Sequence, residues 1–447
     1  MRAAPLVFAI ALAGCGAGPA SDTDDTDARD DGTPAVVYTR PLAGGETTTE
    51  GIEPHSAVFG TTEYVDAPAQ ELPVGPDPRH VHLGFPDVDT SRSVSLVWST
   101  DTGTLASQVQ LARGADLAPS DFGAEHTYEG ISYLYGGSDD DAYRTHEFKT
   151  LGTLEPGTTY SYRVGGEGDG ASHWSPIHSF TTPQAPGSSG ALRVVFVGDS
   201  RDHYEDWGAL LAQVDTEAPD LILFTGDLVE SGLSEGQWYA WWEATGDVLA
   251  RRPLIPALGN HEYLATNYFA RFSLPRDEQY FDLRVGPLHV AALVDYFVDE
   301  SVIDVDQPDF VEERLGGSDA LWKLALNHVA TYAVCERHKS NERLRDAWTP
   351  SFDAVGLDLS VSGHNHIYER SVPIRDGVED PDGTVYLVTG GAGAPLYDKI
   401  GEGWWNVEAK AVMHYVVADF TDDGATITAK DIAGNRIDDF VLAPRSR

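Results

Sequence analysis

At 447 residues with 41% hydrophobic side chains, the chain exceeds the size at which a single core usually stops growing, so two domains with terminal extensions are expected. Its 71 Asp and Glu face only 30 Lys and Arg, and the formal net charge of -41 excludes nucleic acid as a partner. The acidity reads as a solvated surface suited to solubility, and it poses a puzzle for any anionic substrate.

Residues 1–14 read as an export signal in which Arg2 precedes the apolar stretch Leu6 to Leu12, too short to span a bilayer. The ending Leu12-Ala13-Gly14-Cys15 resembles a bacterial lipobox, which implies cleavage before Cys15 and lipid on that cysteine, and Gly16 supplies no inner-membrane retention signal. The expected product is a bacterial cell-envelope lipoprotein, outer-membrane or periplasm-facing, whose only membrane contact is the anchor. With a plain secretory signal it is secreted instead. If Cys15 is lipidated, Cys335 is the remaining thiol and no internal disulfide forms; Cys335 itself reads as a buried structural residue. Residues 15–77 comprise that cysteine, a small-residue acidic tether and an irregular lead-in.

Over residues 78–183 the pattern turns to short alternating runs such as Ser93-Val94-Ser95-Leu96-Val97-Trp98 and Gln108-Val109-Gln110-Leu111, separated by Gly, Asp and Pro turns. That rhythm predicts an all-β sandwich with Trp98 in its core. The stretch Leu154-Glu155-Pro156-Gly157-Thr158-Thr159-Tyr160 resembles the corner of a fibronectin type III-like domain, where a tyrosine hydroxyl anchors a strand to the preceding turn. After a linker rich in Pro, Gly and Ser, residues 191–445 change to strand, loop and helix. Leu192 to Val197 and Leu221 to Phe224 are continuous apolar strands, and Trp207, Leu210, Leu211 and Val214 stand at helical spacing between them. This is an α/β layered domain. Trp238, Trp241 and Trp242 read as helix packing, and His289 as a strand residue.

Several of those apolar runs end in metal-type ligands: Gly198-Asp199, Gly226-Asp227, Gly259-Asn260-His261-Glu262, Asn327-His328 and Gly363-His364-Asn365-His366. In layered α/β folds such positions cluster just beyond the carboxyl ends of the strands. Two metal ions about 3.5 to 4 Å apart can neutralise a phosphoryl group and activate its nucleophile. Holding them so close needs a bridging ligand, and a carboxylate with two oxygens suits, so Asp227 is the candidate. Imidazoles suit borderline transition metals, the amide oxygen of Asn260 adds a neutral ligand, and His364 and His366 can reach different ions from one loop.

The series resembles the calcineurin-like metallophosphoesterases, and within them the purple acid phosphatases, most closely in Gly259-Asn260-His261-Glu262, Arg271-Phe272-Ser273-Leu274-Pro275 and Gly363-His364-Asn365-His366-Ile367-Tyr368-Glu369-Arg370. The resemblance implies a four-layer α/β/β/α sandwich behind the fibronectin-like domain. It implies two transition-metal ions (Fe, Zn or Mn), one held by Asp199, Asp227 and His366 and the other by Asp227, Asn260, His328 and His364. His261 then hydrogen-bonds the substrate phosphate and assists the leaving group while a metal-bound hydroxide attacks. The implied activity is hydrolysis of a small phosphate ester, first a phosphomonoester as in acid phosphatases. A phosphodiesterase or nucleotidase using the same residues is the alternative, and a catalytically impaired surface-binding lipoprotein is an alternative of another class.

Two departures from the family pattern stand out. Where purple acid phosphatases carry the tyrosine whose phenolate binds ferric iron and gives the colour, this chain has Glu230, so no purple colour is expected. Where other metallophosphoesterases carry a histidine two residues after the first aspartate, it has Arg201. The first metal therefore lacks a fourth protein ligand, with His203, Glu230 or water as candidates. Arg201 is expected to clamp the phosphate or to form a salt bridge. Local Arg201, His261 and Arg370 beside the metals are expected to make a positive pocket despite the net charge.

Overall fold

The computed structural model describes residues 75–134, 143–168 and 171–445, together with the short antiparallel pair Val37–Thr39 and Phe59–Thr61. The export signal, Cys15 and the tether lie outside the described residues. Among the described residues, no helix is long and apolar enough to cross a membrane.

The amino-terminal domain is all β. A four-stranded sheet of Arg79–Gly84, Val94–Thr100, Arg144–Thr150 and Ile131–Tyr133 faces a five-stranded sheet centred on Gln108–Arg113 and Thr159–Gly168. Alternation puts Leu96 and Trp98 of one sheet against Val109, Leu111, Tyr162 and Val164 of the other. At the corner, the hydroxyl of Tyr160 accepts the backbone N–H of Glu155 at 3.0 Å, which ties the long strand to the turn before it. The sandwich is joined to the next domain by polar contacts as well as packing. Tyr162 donates to the carbonyl of Ala250 at 2.8 Å, Leu83 N–H to that of Leu249 at 3.0 Å, and His82 stacks on Trp242 with ring centroids 4.1 Å apart.

The second domain starts with β1 (Leu192–Val197), α1 (Tyr204–Thr216), β2 (Leu221–Phe224), α2 (Glu235–Thr245) and β3 (Leu254–Pro256). β4 (Phe281–Val285), β5 (Leu288–Ala292), α3 (Gln307–Gly316), β6 (Trp322–Leu326), α4 (Glu342–Val355), β7 (Leu359–Ser362), β8 (Tyr368–Ser371), β9 (Val385–Thr389) and β10 (Asn406–Lys410) follow. The chain closes with β11 (His414–Phe420), β12 (Ala425–Asp431) and β13 (Arg436–Leu442). They form two sheets, ordered β3-β2-β1-β11-β12-β13 and β4-β5-β6-β7-β9-β8-β10. β1, β2 and β3 run parallel in the first, and β5, β6, β7 and β9 run parallel in the second.

The sheets lie face to face, because Val194, Leu324, Leu359 and Val416 share one core with Trp207 and Trp241 of α1 and α2. The far side of the second sheet packs on α3 and α4 through Ala291, Ala325, Val311, Leu315, Trp348 and Phe352. Four layers, α/β/β/α, result. Strands buried on both faces explain the unbroken apolar runs, and the buried stripe Trp207, Leu210, Leu211 and Val214 explains the helical spacing of α1. Trp238, Trp241 and Trp242 are all buried, so α2 uses them for packing. His289 is likewise a strand residue, held by Asp282 and Ser318, and Cys335 is a buried free thiol.

Candidate metal centre

Each sequence-predicted ligand segment leaves the carboxyl end of a parallel strand: Asp199 after β1, Asp227 after β2, Asn260 after β3, His328 after β6 and His364 after β7. Those ends from both sheets meet in one place. To turn the side chains inward, the backbone adopts left-handed geometry at Asp199, Asp227 and His364, with φ of +61°, +59° and +65°. Such conformations are costly for non-glycine residues and persist only where their surroundings fix them. Gly226, at φ +97°, allows the loops to close: a Cβ there would stand 2.7 Å from Gly259 N and 2.8 Å from His328 Nδ1.

Two buried carboxylates lock the loops together. Glu262 accepts the backbone N–H groups of Asp227 (3.0 Å), Leu228 (2.8 Å) and Gly259 (2.7 Å), so it clamps two ligand loops at once. Asp295 accepts from His328 N (3.0 Å), Val329 N (2.6 Å) and Asn327 Nδ2 (3.2 Å) and fixes the third. These are charge-assisted bonds in a dry interior, where an unpaired carboxylate would be prohibitive.

The donor atoms converge. Ligand atoms of Asp227, His328 and His364 lie within 4.8 Å of one another. His328 Nε2 is 3.3 Å from Asp227 Oδ1 and 3.0 Å from Asn260 Oδ1. On the other side, His366 Nε2 is 3.5 Å from Asp199 Oδ1, and Asp199 is tied to the same loop by accepting His364 N–H at 3.0 Å. Three imidazoles share one device. His328, His366 and His261 direct Nδ1 at the backbone carbonyls of Thr225 (2.8 Å), Pro395 (2.7 Å) and Glu230 (2.6 Å), which fixes the proton on Nδ1 and turns Nε2 inward. This is how proteins orient histidines that ligate metals.

Electrostatics point the same way. Burial pushes the Asp199 carboxyl up, with the Asp227 charge adding to it. Burial also acts on Asp227, but His328 and His261 outweigh it and hold that carboxyl well below the usual range. His328 is drawn up to about 10, because Asp227 and the neighbouring carboxylates overcome the burial that would lower it. Burial, with other cationic groups adding, keeps His364 and His366 neutral. His328 Nε2 faces oxygen acceptors with its Nδ1 proton already committed, so that nitrogen must carry a proton or meet a cation. Two buried carboxylates, an amide oxygen and inward imidazole nitrogens fit a pair of transition-metal ions.

Arg201 and His261 are brought together beside this cluster. The Arg201 guanidinium makes a short hydrogen bond to His261 Nε2 and approaches Glu230 at 3.4 Å, while His261 Nε2 lies 3.9 Å from Asp227 Oδ2. Two expectations are corrected. His203 is not among the buried donors: it precedes α1, pairs with Asp202 at 2.6 Å and has a side chain 42% exposed, because the turn after Arg201 carries it to the surface. Arg370 does not line the pocket, since its guanidinium is held by Asp438 at 2.6 and 3.1 Å and covers the ring of Phe440.

Sequence reasoning missed several neighbours. His338 is buried with its ring 4.1 Å from that of His364, yet no motif surrounds it in the chain. Tyr397 stacks on His366 at 4.1 Å, and the run Gly390-Gly391-Ala392-Gly393 after β9 was the available signal, a glycine-rich loop at another parallel strand end. Asp295 also ends an apolar strand and could have been found by the rule that found the ligands. Tyr296 lies 6.0 Å from the His364 ring, and the exposed Phe297 and half-buried Tyr263 continue that aromatic wall outward.

Comparison with known proteins accords with this geometry. The calcineurin-like phosphoesterase family matches residues 192–368, and the purple acid phosphatase N-terminal domain matches residues 78–182. Purple acid phosphatase 22 of Arabidopsis thaliana is 26% identical over 71% of this chain and 72% of its own length. Acid phosphatase type 7 of Homo sapiens is 26% identical over 71% of this chain and 78% of its own. The purple acid phosphatase PPD1 from yellow lupin seeds shares the fold, with a TM-score of 0.69 at 18% identity over 82% of this chain and 74% of that one. The chain thus carries a calcineurin-like phosphoesterase domain behind a purple acid phosphatase N-terminal domain and is a metal-dependent hydrolase of phosphoric esters.

Proposed function

From that pairing of domains, we propose that this chain is an acid phosphatase-like phosphomonoesterase with two transition-metal ions, of Fe, Zn or Mn. The supporting observation is the convergence of inward Nε2 atoms, each with Nδ1 anchored on a carbonyl, upon two buried aspartates at the meeting of the two sheets. Asp199, Asp227 and His366 would hold one ion, and Asp227, Asn260, His328 and His364 the other. When bound, the ions supply Lewis acidity toward a phosphoryl oxygen and make water nucleophilic near neutral pH.

The remaining work falls to the protein. Arg201 is a planar donor suited to two phosphate oxygens and is prevented from leaving by Glu230. His261 keeps its Nδ1 proton on the Glu230 carbonyl, so Nε2 is the atom that takes up and delivers a proton. A phosphate entering between the two draws Arg201 onto its oxygens and frees Nε2, which takes a proton from solvent and passes it to the departing alkoxide. Tyr296, Phe297 and Tyr263 offer an apolar flank to the alcohol side.

The test compares p-nitrophenyl phosphate with bis(p-nitrophenyl) phosphate on the metal-loaded protein. Faster turnover of the monoester is expected. His261→Ala should lower kcat by about 10²–10⁴ while keeping metal, whereas Asp227→Asn should disturb both ions. Turnover of the diester alone would give the phosphodiesterase or nucleotidase reading, and inactivity toward both with one ion or none bound would give the surface-binding lipoprotein.

Export and a lipid anchor at Cys15 belong to the same proposal, on the strength of Leu12-Ala13-Gly14-Cys15. Cys15→Ser should move the protein from the membrane fraction to the soluble fraction of the cell envelope. Wild-type protein found wholly soluble would leave the plain secretory signal.

A further inference from the structure

The first metal position lacks a fourth protein donor on the sequence pattern, and the structure offers one from a segment that carries no ligand motif. We propose that the phenolic oxygen of Tyr397 is a ligand of the ion held by Asp199 and His366. This rests on the two-metal reading above.

The loop after β9 is fastened to that half of the site along its length. Ala392 N–H donates to the carbonyl of Gly198 and Ala394 N–H to that of Asp199, both at 2.9 Å. The Pro395 carbonyl takes the Nδ1 proton of His366 at 2.7 Å, and Tyr397 N–H donates to the His366 carbonyl at 3.3 Å. Gly393, at φ +149°, permits the close pass over Ser200: a Cβ there would stand 3.1 Å from the Ser200 carbonyl. One loop therefore fixes the tautomer of His366 and the position of Tyr397 together.

The side chains share a direction. The two rings stack with an interplanar angle of 16°, and the Tyr397 hydroxyl lies 3.4 Å from His366 Nε2, the ligand atom. Asp199 Oδ1 lies 3.5 Å from the same nitrogen. The hydroxyl and the Asp199 carboxylate oxygen thus both lie within 3.5 Å of the nitrogen that His366 would offer to the ion. A hydrogen bond from the hydroxyl to Nε2 at 3.4 Å is long. The Arg337 guanidinium lies over the same ring, 4.9 Å from its centroid, and helps to hold it in place. The other candidates are committed elsewhere: His203 to Asp202, and the Glu230 carboxylate to Arg201 and His261.

A phenolate on ferric iron absorbs visible light, so the ligand has a readout independent of turnover. The full-length protein is loaded with ferric iron and zinc, dialysed, and followed by elemental analysis and an optical spectrum. Wild type is expected to keep two ions and, against the expectation drawn from Glu230 alone, to be coloured. Tyr397→Phe should lose the colour and weaken one ion by at least the roughly tenfold that even an outer partner of a ligand is worth. Glu230→Gln should keep both the ions and the colour. A two-ion wild type with no visible band, or a Tyr397→Phe protein with unchanged ions and spectrum, overturns the Tyr397 assignment and leaves the metal centre standing. Loss of one ion in Glu230→Gln, with Tyr397→Phe keeping both, would move the ligand to Glu230. A wild type that retains fewer than two ions would sink the two-metal reading itself, whereas an Asp227→Asn protein that keeps both ions would remove only Asp227 as the bridge.

Discussion

Glu369 illustrates how one buried group can make stability depend on pH near neutrality. It sits in β8 just beyond the histidine loop and accepts the backbone N–H groups of Val334 (2.7 Å) and Cys335 (3.0 Å). Burial raises its carboxyl from 4.5 to about 7, and the two N–H donors offset that only in part. The folded chain thus binds this proton more tightly than the unfolded chain. Its contribution is fully present below about pH 4.5, falls as pH rises, and is lost above about pH 7, a span worth about 3 kcal/mol. Glu369→Gln cannot titrate, so its stability relative to wild type should improve by that order between pH 4.5 and 7.5. Urea midpoints at both pH values measure it, and parallel wild-type and variant profiles would remove Glu369 as the cause. The ligands themselves were readable in the sequence because each ends an apolar run, a local feature. His338 was not, and the roles of Glu262 and Tyr397 were not even though a motif and a glycine-rich loop flagged their neighbourhoods, because what these residues do is defined by partners far away in the chain.

At the scale of elements, the same contrast decides what could be foreseen. β1, β2 and α1 announce themselves, since strands buried on both faces are continuously apolar and α1 buries one stripe of a helical surface. Their order around the sheets does not. β11 lies antiparallel to β1 although more than half of the second domain separates them, and nothing local in His414 to Phe420 specifies that neighbour. The consequence for the site is direct: β11 closes the first sheet behind β1, and the second sheet ends beyond β9 with β8 and β10, so the loop carrying Tyr397 falls across Asp199. The sandwich was legible from its alternating strands and from Tyr160, whose hydroxyl does anchor the preceding turn. Its seating was not. The ring of His82 against Trp242 and its Nε2 at 2.7 Å from the carbonyl of Arg271 join residues that no periodicity connects. The matched Arg271-Phe272-Ser273-Leu274-Pro275 segment is therefore structural in part: Arg271 is buried, paired with Glu235 at 2.7 Å and laid over the ring of Tyr143.

For the whole molecule, the net charge of -41 sets how an anionic ester reaches a site built to hold it. Arg370, bound to Asp438, is withdrawn from the local positive set, so the protein side of the pocket relies on Arg201, with Arg337 beside Tyr397. At about 0.01 M salt the Debye length is about 30 Å, comparable to the domain, and an approaching phosphate feels the acidic surface as a whole. At about 0.15 M it is about 8 Å, so the distant carboxylates are screened while charges within the pocket still act. Raising salt across this range at fixed pH should therefore raise kcat/KM with kcat nearly constant. The rise should be steeper for a dianionic monoester than for a monoanionic diester, because repulsion scales with substrate charge. A fall in kcat/KM over the same range would mean that attraction by the pocket already governs capture at low salt, and that the acidic surface lies too far from the entrance to matter.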